Sequence, residues 1–353
     1  MNRGARRWLW ASMIVGALLG LGACSSVAYY AQAARGQSAI LLNRQPIDKL
    51  LADTDLDPEL QRRLQWVVEA REFAAAHLGL PSGGSYTTYV DPGRPYMLWN
   101  VFAAPPDSLE PVLWCFPIAG CVSYRGYFSE RGAQRYAQRL QQRGMDVYVG
   151  GVDAYSTLGW FRDPVPATVL RRPEHRLVGL IFHELAHQRY YLPGDTSFNE
   201  SFASFVEQEG LRRWFDGRQQ PDGFARYLRE TRERDQFIQF VLDYRRSFDS
   251  LYRQELAPAE LGARKTALQA QMRLQWAEQG SRAYDGWFNG PLNNAQLNTV
   301  GAYSDWVPAF AALLSEQGGD LDAFYPAVAE LGEMPADQRR QRLMQLLAAA
   351  APL

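Results

Sequence analysis

Four histidines occur among 353 residues, and two of them frame a glutamate in His183-Glu184-x-x-His187. Helix positions four apart share one face, so both imidazoles can turn toward a single divalent ion. Glu184 sits beside the first imidazole, where a carboxylate can take a proton from a water that such an ion activates. Leu180, Ile181, Leu185 and Ala186 cover the rest of the segment, as expected of a helix buried beside a cleft. Catalytic zinc usually takes three protein ligands, so two imidazoles leave the site one short. Glu200 is the candidate third. A Leu192-Pro193-Gly194-Asp195 turn and a restart near Ser197 predict an antiparallel helix pair, with Glu200 in the first turn of the second helix. Glu207, seven residues on, shares that face and can hydrogen-bond a ligating imidazole. A competing reading makes Ser197-Phe198-Asn199-Glu200 a capping box, with Ser197 as N-cap and Glu200 reaching back to its backbone N–H. One carboxylate cannot fully do both.

The pair of motifs, His183-Glu184-x-x-His187 and Asn199-Glu200-x-Phe202-Ala203-x-x-x-Glu207, resembles the gluzincin metallopeptidases. The second motif is similar to the N-E-x-x-A-x-x-x-E segment of the large zinc aminopeptidases. The resemblance implies zinc on His183, His187 and Glu200, with Glu207 and Asn199 supporting the ligands. The chain departs from those enzymes in a shorter spacer and in lacking a G-x-M-x-N segment, which in them helps hold the substrate's free amine. Most of the chain resembles a family of bacterial lipoproteins described as predicted aminopeptidases. That likeness is carried by Trp114 to Cys121 (WCFPIAGC), Tyr124 to Phe128 (YRGYF), Tyr155 to Trp160 (YSTLGW), the metal segment, Asn293-Asn294-Ala295 and Val307 to Phe310 (VPAF).

Residues 1–23 read as a targeting segment. Arg3, Arg6 and Arg7 precede a weakly polar to apolar run from Trp8 to Ala23, which is short for a membrane span. Leu21-Gly22-Ala23-Cys24 looks like a bacterial lipobox, which predicts lipidation of Cys24, and Ser25 is similar to outer-membrane-sorted lipoproteins. An uncleaved N-terminal anchor is the other reading. The expected location is therefore the periplasm, held by acyl chains on Cys24. In that oxidising compartment the remaining cysteines, Cys115 and Cys121, can form a disulfide or stay as two buried thiols. A formal net charge of −1 gives no electrostatic footprint for nucleic acid, and 47% hydrophobic residues suffice for a full core.

The elements that must position these residues are read as α+β. Residues 24–45 are a tether or short helix, and 46–353 form one metallopeptidase domain. Within it, 46–170 carries a small sheet, 171–216 the zinc helices and 217–353 a mainly helical part. Pro58 to His77 has helical spacing. Tyr86 to Val90, Tyr96 to Ala103, Val112 to Ile118 and Asp146 to Val152 read as four strands of one sheet. Asp153 to Trp160 is a candidate for the segment flanking a substrate-pairing edge, or an ordinary loop. Phe224 to Leu256 and Ala259 to Gln279 form a charged helical hairpin, a structural flank with a solvated face or else a lid over the cleft or a partner contact. Gly286 to Asn294 is a loop, and Tyr303 to Leu347 is helical with a break at Gly318-Gly319-Asp320.

In the resulting expectation, one zinc ion per chain polarises a peptide carbonyl and Glu184 acts as base and then acid. A tyrosine stabilises the oxyanion. Tyr303 is the first choice and Tyr284 and Tyr155 are rivals, although Tyr303 can equally just pack. Asp153, Asp163, Asp285 and Asp305 are candidates for holding a substrate ammonium. Removal of N-terminal residues from peptides is the leading activity and endopeptidase cleavage the near alternative. A zinc-stabilised, non-catalytic binding lipoprotein is the reading from another class, against which the intact Glu184 stands.

Overall fold

Apolar residues at three- and four-residue spacing dominate this α+β protein, and its small sheets are confined to the N-terminal half. The computed structural model describes residues 27–81, 83–116, 120–154, 162–280, 282–301 and 306–350. Cys24 lies outside them. The first helix, α1 (27–42), is docked and not a free tether. Ile40 is buried with Val90 and Met97, and the Tyr29 ring stands 5.5 Å from Phe116. After β1 (Gln45–Pro46) and α2 (Ile47–Leu51) comes α3 (Pro58–His77), at the bounds its spacing predicts. Asp57 caps it by accepting from the Leu60 N–H at 2.9 Å, and Pro58 fills a first-turn position that needs no donor.

The strands expected to form one sheet are divided among three. In chain order they are β2 (Thr88–Val90), β3 (Leu98–Ala104), β4 (Trp114–Phe116), β5 (Gly120–Val122) and β6 (Arg125–Tyr127). Helix α4 (Glu130–Gln141) follows, then β7 (Asp146–Val152) and β8 (Val165–Pro166). One sheet runs β1-β2-β8, a second β6-β3-β7, and β4 and β5 make a separate ribbon. Asp91-Pro92-Gly93 and Pro105-Pro106 bend the chain and remove backbone donors between the predicted runs. Partners β1, β6 and β8 have only two or three residues, too few to show alternation. The longest ladder pairs β3 and β7 antiparallel from Leu98↔Val152 to Ala104↔Asp146. Trp99, Val101 and Ala103 of β3 are buried with Ala133, Ala137 and Leu140 of α4. That helix is periodic, but its apolar side is only Ala133, Ala137 and Leu140 among Arg and Gln, so the segment reads as polar overall. Ser129 caps it through the Gly132 N–H at 3.0 Å. Cys115 and Cys121 face each other across β4 and β5 and are joined by a disulfide.

From α5 (Ala167–Leu170) the chain enters α6 (Glu174–Arg189) and α7 (Thr196–Gly217), the centre of the main core. Phe182, Phe198, Phe202 and Trp214 are fully buried there with Leu64 and Val67 of α3. A Cβ on Gly210 would stand 2.7 Å from Phe182 and 2.8 Å from Leu78, so glycine permits the close approach of α7 at this point. The charged hairpin is α8 (Pro221–Tyr252) and α9 (Pro258–Glu278), which share a second core of Phe237, Val241, Phe248, Met272 and Trp276. That core extends to Phe288 of α10 (Asp285–Phe288) and Leu297 of α11 (Asn294–Leu297). Asn293 Nδ2 donates to the Val147 carbonyl at 3.0 Å, and Asn294 Nδ2 to Pro105 and Ser108 at 2.8 and 3.0 Å. The asparagine pair thus fastens the hairpin to the β3–β7 sheet. Helices α12 (Val307–Glu316), α13 (Leu321–Glu333) and α14 (Ala336–Ala349) complete the chain, with Phe310 ringed 5.2 Å from Phe198. Gly318 and Gly319 make the break between the first two with φ of +66° and +82°. No described helix is long and apolar enough to cross a membrane.

Candidate metal centre

The antiparallel packing of α6 on α7 brings the polar residues of both helices to one place. His183 and His187 present their Nε2 atoms to each other at 3.2 Å. Glu200 lies 3.4 Å from His183 Nε2 through one oxygen and 3.6 Å from His187 Nε2 through the other. One ligand atom from each of the three falls within 4.8 Å of the others. Glu207, two turns further along α7, meets His183 Nδ1 at 3.1 Å. If Nδ1 donates its proton to that carboxylate, Nε2 keeps a lone pair aimed at the centre. A Cβ on residue 179 would stand 3.0 Å from Glu207 Oε1, so Gly179 leaves room for this carboxylate against α6.

The donor set of two imidazoles and one carboxylate fits a catalytic zinc ion. Without an ion, His183 itself carries a positive charge between the two carboxylates. Burial works to lower the His183 pKa, but hydrogen bonds to Glu200 and Glu207 outweigh it and lift the value to about 10. Burial, then the charge of His183, holds His187 at about 4 against the pull of Glu200. Burial works to raise Glu200 and Glu207, yet bonding to His183 leaves both lowered, so both are carboxylates at neutral pH.

The connection between the helices corrects two expectations. Asp195, not Ser197, is the N-cap of α7, accepting from the Phe198 N–H at 3.0 Å and pairing with Arg339 at 3.0 Å. The capping box is therefore not formed, and Glu200 falls in the second turn with its side chain turned to the histidines. Asn199 is 2% exposed, and both its amide atoms are used on Leu192, accepting from its N–H at 2.7 Å and donating to its carbonyl at 2.8 Å. It fixes the loop that sets the spacing of the ligands and does not hold a ligand itself. Asn199→Ala would strand a backbone N–H and carbonyl, and should lower unfolding free energy by about 1–3 kcal/mol. Urea denaturation reads this directly; an unchanged midpoint would mean that the loop is held by other contacts.

One residue later than His183, the helix turns by about 100°, and Glu184 faces a small cavity. Tyr86, Ala154, Val165, Val169, Leu180 and Ile181 line it with Glu184. Tyr86 was legible only as the start of a strand. It is a buried turn residue with φ of +60°, a conformation rarely adopted by a bulky side chain, and its N–H donates to the Asp163 carbonyl at 2.7 Å. Burial, with the charges of Glu184 and Asp163 added, holds its pKa well above the usual tyrosine value. Its hydroxyl therefore stays protonated as a donor beside Glu184. Nothing in spacing or composition marks this residue, because chain reversal and not periodicity places it.

The other tyrosine and aspartate candidates separate. Tyr284 stacks on Phe237 with ring centroids 4.0 Å apart and belongs to the hairpin core. Tyr303, Tyr155 and Asp305 lie outside the described residues, as does most of Asp153 to Trp160. Asp153 pairs with Arg172 at 3.2 Å, Asp163 is buried, and Asp285 stands 3.5 Å from Arg282 on the surface.

No curated protein and no solved structure matches this chain. A family model does, over residues 28–343, from the start of α1 into α14. By that match the chain belongs to the family described as "Putative aminopeptidase".

Proposed function

We propose that this protein is a zinc-dependent aminopeptidase of the bacterial periplasm, anchored through lipidated Cys24, with the outer membrane as its destination. The observation that carries the reading is the meeting of His183, His187 and Glu200 one helix step from Glu184. His183, His187 and Glu200 would hold one zinc ion, and Glu207 would orient His183. When bound, zinc supplies Lewis acidity, polarising a carbonyl and making a water more acidic. Glu184 takes the proton of the attacking water and returns it to the leaving amine. The Tyr86 hydroxyl, protonated in the same cavity, donates a hydrogen bond to the carbonyl oxygen as negative charge develops on it. Membership of the aminopeptidase family supports the choice of peptides as substrate.

The test is a peptide library, half with free and half with acetylated N-termini, digested by protein beginning after Cys24 and read by mass spectrometry. Trimming of the free peptides alone is the expected result. Internal cuts in both halves would make the enzyme an endopeptidase. No cutting by folded, zinc-loaded protein would reject the catalytic reading in favour of a binding lipoprotein.

A further inference from the structure

A cavity of about 1050 Å³ lies between α1, β6 and α4, apart from the residues of the metal centre. Its wall carries Arg35, Arg94, Arg125, Arg135, Arg139 and Arg143 and no aspartate or glutamate. Arg94 is occupied, donating to the carbonyls of Tyr96 and Met97. The other five have no ion-pair partner among the described residues, although arginines elsewhere do, as Arg212 does with Glu209 and Asp216. In a chain of net charge −1, this is a local concentration of unneutralised cations. Arg135, Arg139 and Arg143 recur every four residues along α4 and just past it, on one exposed side. Arg125 is held between aromatic rings, 4.1 Å from the centroid of Tyr29 and 4.6 Å from that of Tyr136. Its Nε is buried with no hydrogen-bond partner among the described residues. A guanidinium oriented by two rings, beside a row of exposed arginines, matches phosphate oxygens.

The surroundings identify the source of the phosphate. Val27 and Tyr30 of α1 are 68% and 46% exposed, and Leu113 and Tyr124, next to β4 and β6, are 58% and 41% exposed. Tyr29 links these parts, contacting Tyr30, Phe116 and Tyr127. Apolar and tyrosine side chains around a basic groove are the composition of a surface that rests at a lipid headgroup layer. Tyr29 is also only five residues after Cys24, so at most about 18 Å of chain separates them. We propose that the arginine groove seats the phosphate headgroups of an anionic phospholipid bilayer, docking the α1–α4 face on the membrane. The match to an anchor beside the groove rests on lipidation of Cys24; the binding itself does not.

The experiment uses protein from Ser25 onward, which retains every described element, and co-sedimentation with vesicles of phosphatidylcholine alone or mixed with phosphatidylglycerol. Partitioning to the mixed vesicles only, weakened by salt, is expected. Arg135→Ala/Arg139→Ala/Arg143→Ala removes exposed charges outside the metal centre and should reduce partitioning by about 10²-fold, with unchanged circular dichroism and peptide cleavage. Equal binding to both vesicle types, or a triple variant that partitions like the parent, would overturn the proposal. So would saturable binding of glycerol 3-phosphate without vesicle binding, which would make the groove a site for a free phosphate. Displacement from vesicles by an oligonucleotide at equal phosphate concentration would assign it to nucleic acid instead. A failed peptidase test leaves all these outcomes readable, because none uses cleavage as its primary signal.

Discussion

Glu184→Gln is expected to lower peptide turnover by about 10²–10⁴-fold while zinc binding stays at wild-type stoichiometry. The substitution preserves shape and removes only the ability to accept a proton. Glu184 is not one of the three residues whose donors converge, so the metal site keeps its full set. The loss should fall on kcat with KM little changed, because the missing step is made in the transition state. Tyr86→Phe should act on the same parameter by a smaller factor, since it removes one hydrogen bond and leaves the base. Steady-state kinetics on a peptide with a free N-terminus, beside elemental analysis of the same samples, distinguishes these outcomes. A Glu184→Gln protein with normal turnover would sink the mechanism, and one with little zinc would show that Glu184 serves the metal and not the reaction.

What could be read in advance followed a simple physical division. Helix periodicity is local, so His183 and His187 could be placed on one face, and α3 could be bounded at Pro58 and His77. The seven-residue ladder partner β7 was legible because valine and tyrosine, good strand formers, fill its first half after a glycine turn. The partition into three sheets was not, because it depends on strands of two or three residues whose pairing is fixed by distant chain. Helix α4 was missed because its stripe, though periodic, is mostly alanine in a segment that is polar overall. At the site, Ser197 and Asp195 are both good caps by type, and the choice between them depends on where the turn ends and on Arg339, which approaches from α14. Tyr86 and the arginine groove belong to the same class: each exists only once segments far apart in sequence are packed together.

Removing the imidazole that both carboxylates touch should have the larger consequence, with zinc and hydrolysis lost together in His183→Ala. His183 stands within 3.4 Å of Glu200, 3.2 Å of His187 and 3.1 Å of Glu207. Without it, His187 and Glu200 are too few to hold catalytic zinc. The helix pair should still fold, because Phe182, Phe198, Phe202 and Trp214 join α6 to α7 through apolar contact. Zinc-loaded wild type should exceed the metal-free form in stability, by about 2.7 kcal/mol when free zinc is a hundred times Kd, and His183→Ala should show no zinc-dependent shift in Tm. Glu207→Gln separates ligation from support: all three donors remain, and affinity should fall by about 10–100-fold as the orienting charge on His183 Nδ1 is lost. Titration with a graded series of chelators measures both variants. Full zinc stoichiometry in His183→Ala would remove that residue from the site, and wild-type affinity in Glu207→Gln would reduce Glu207 to packing. The ordering of the two variants is the informative result, because a centre assembled only by surface acids would lose affinity equally from either change, whereas one built on a carboxylate-oriented histidine loses most at the ligand and less at its support.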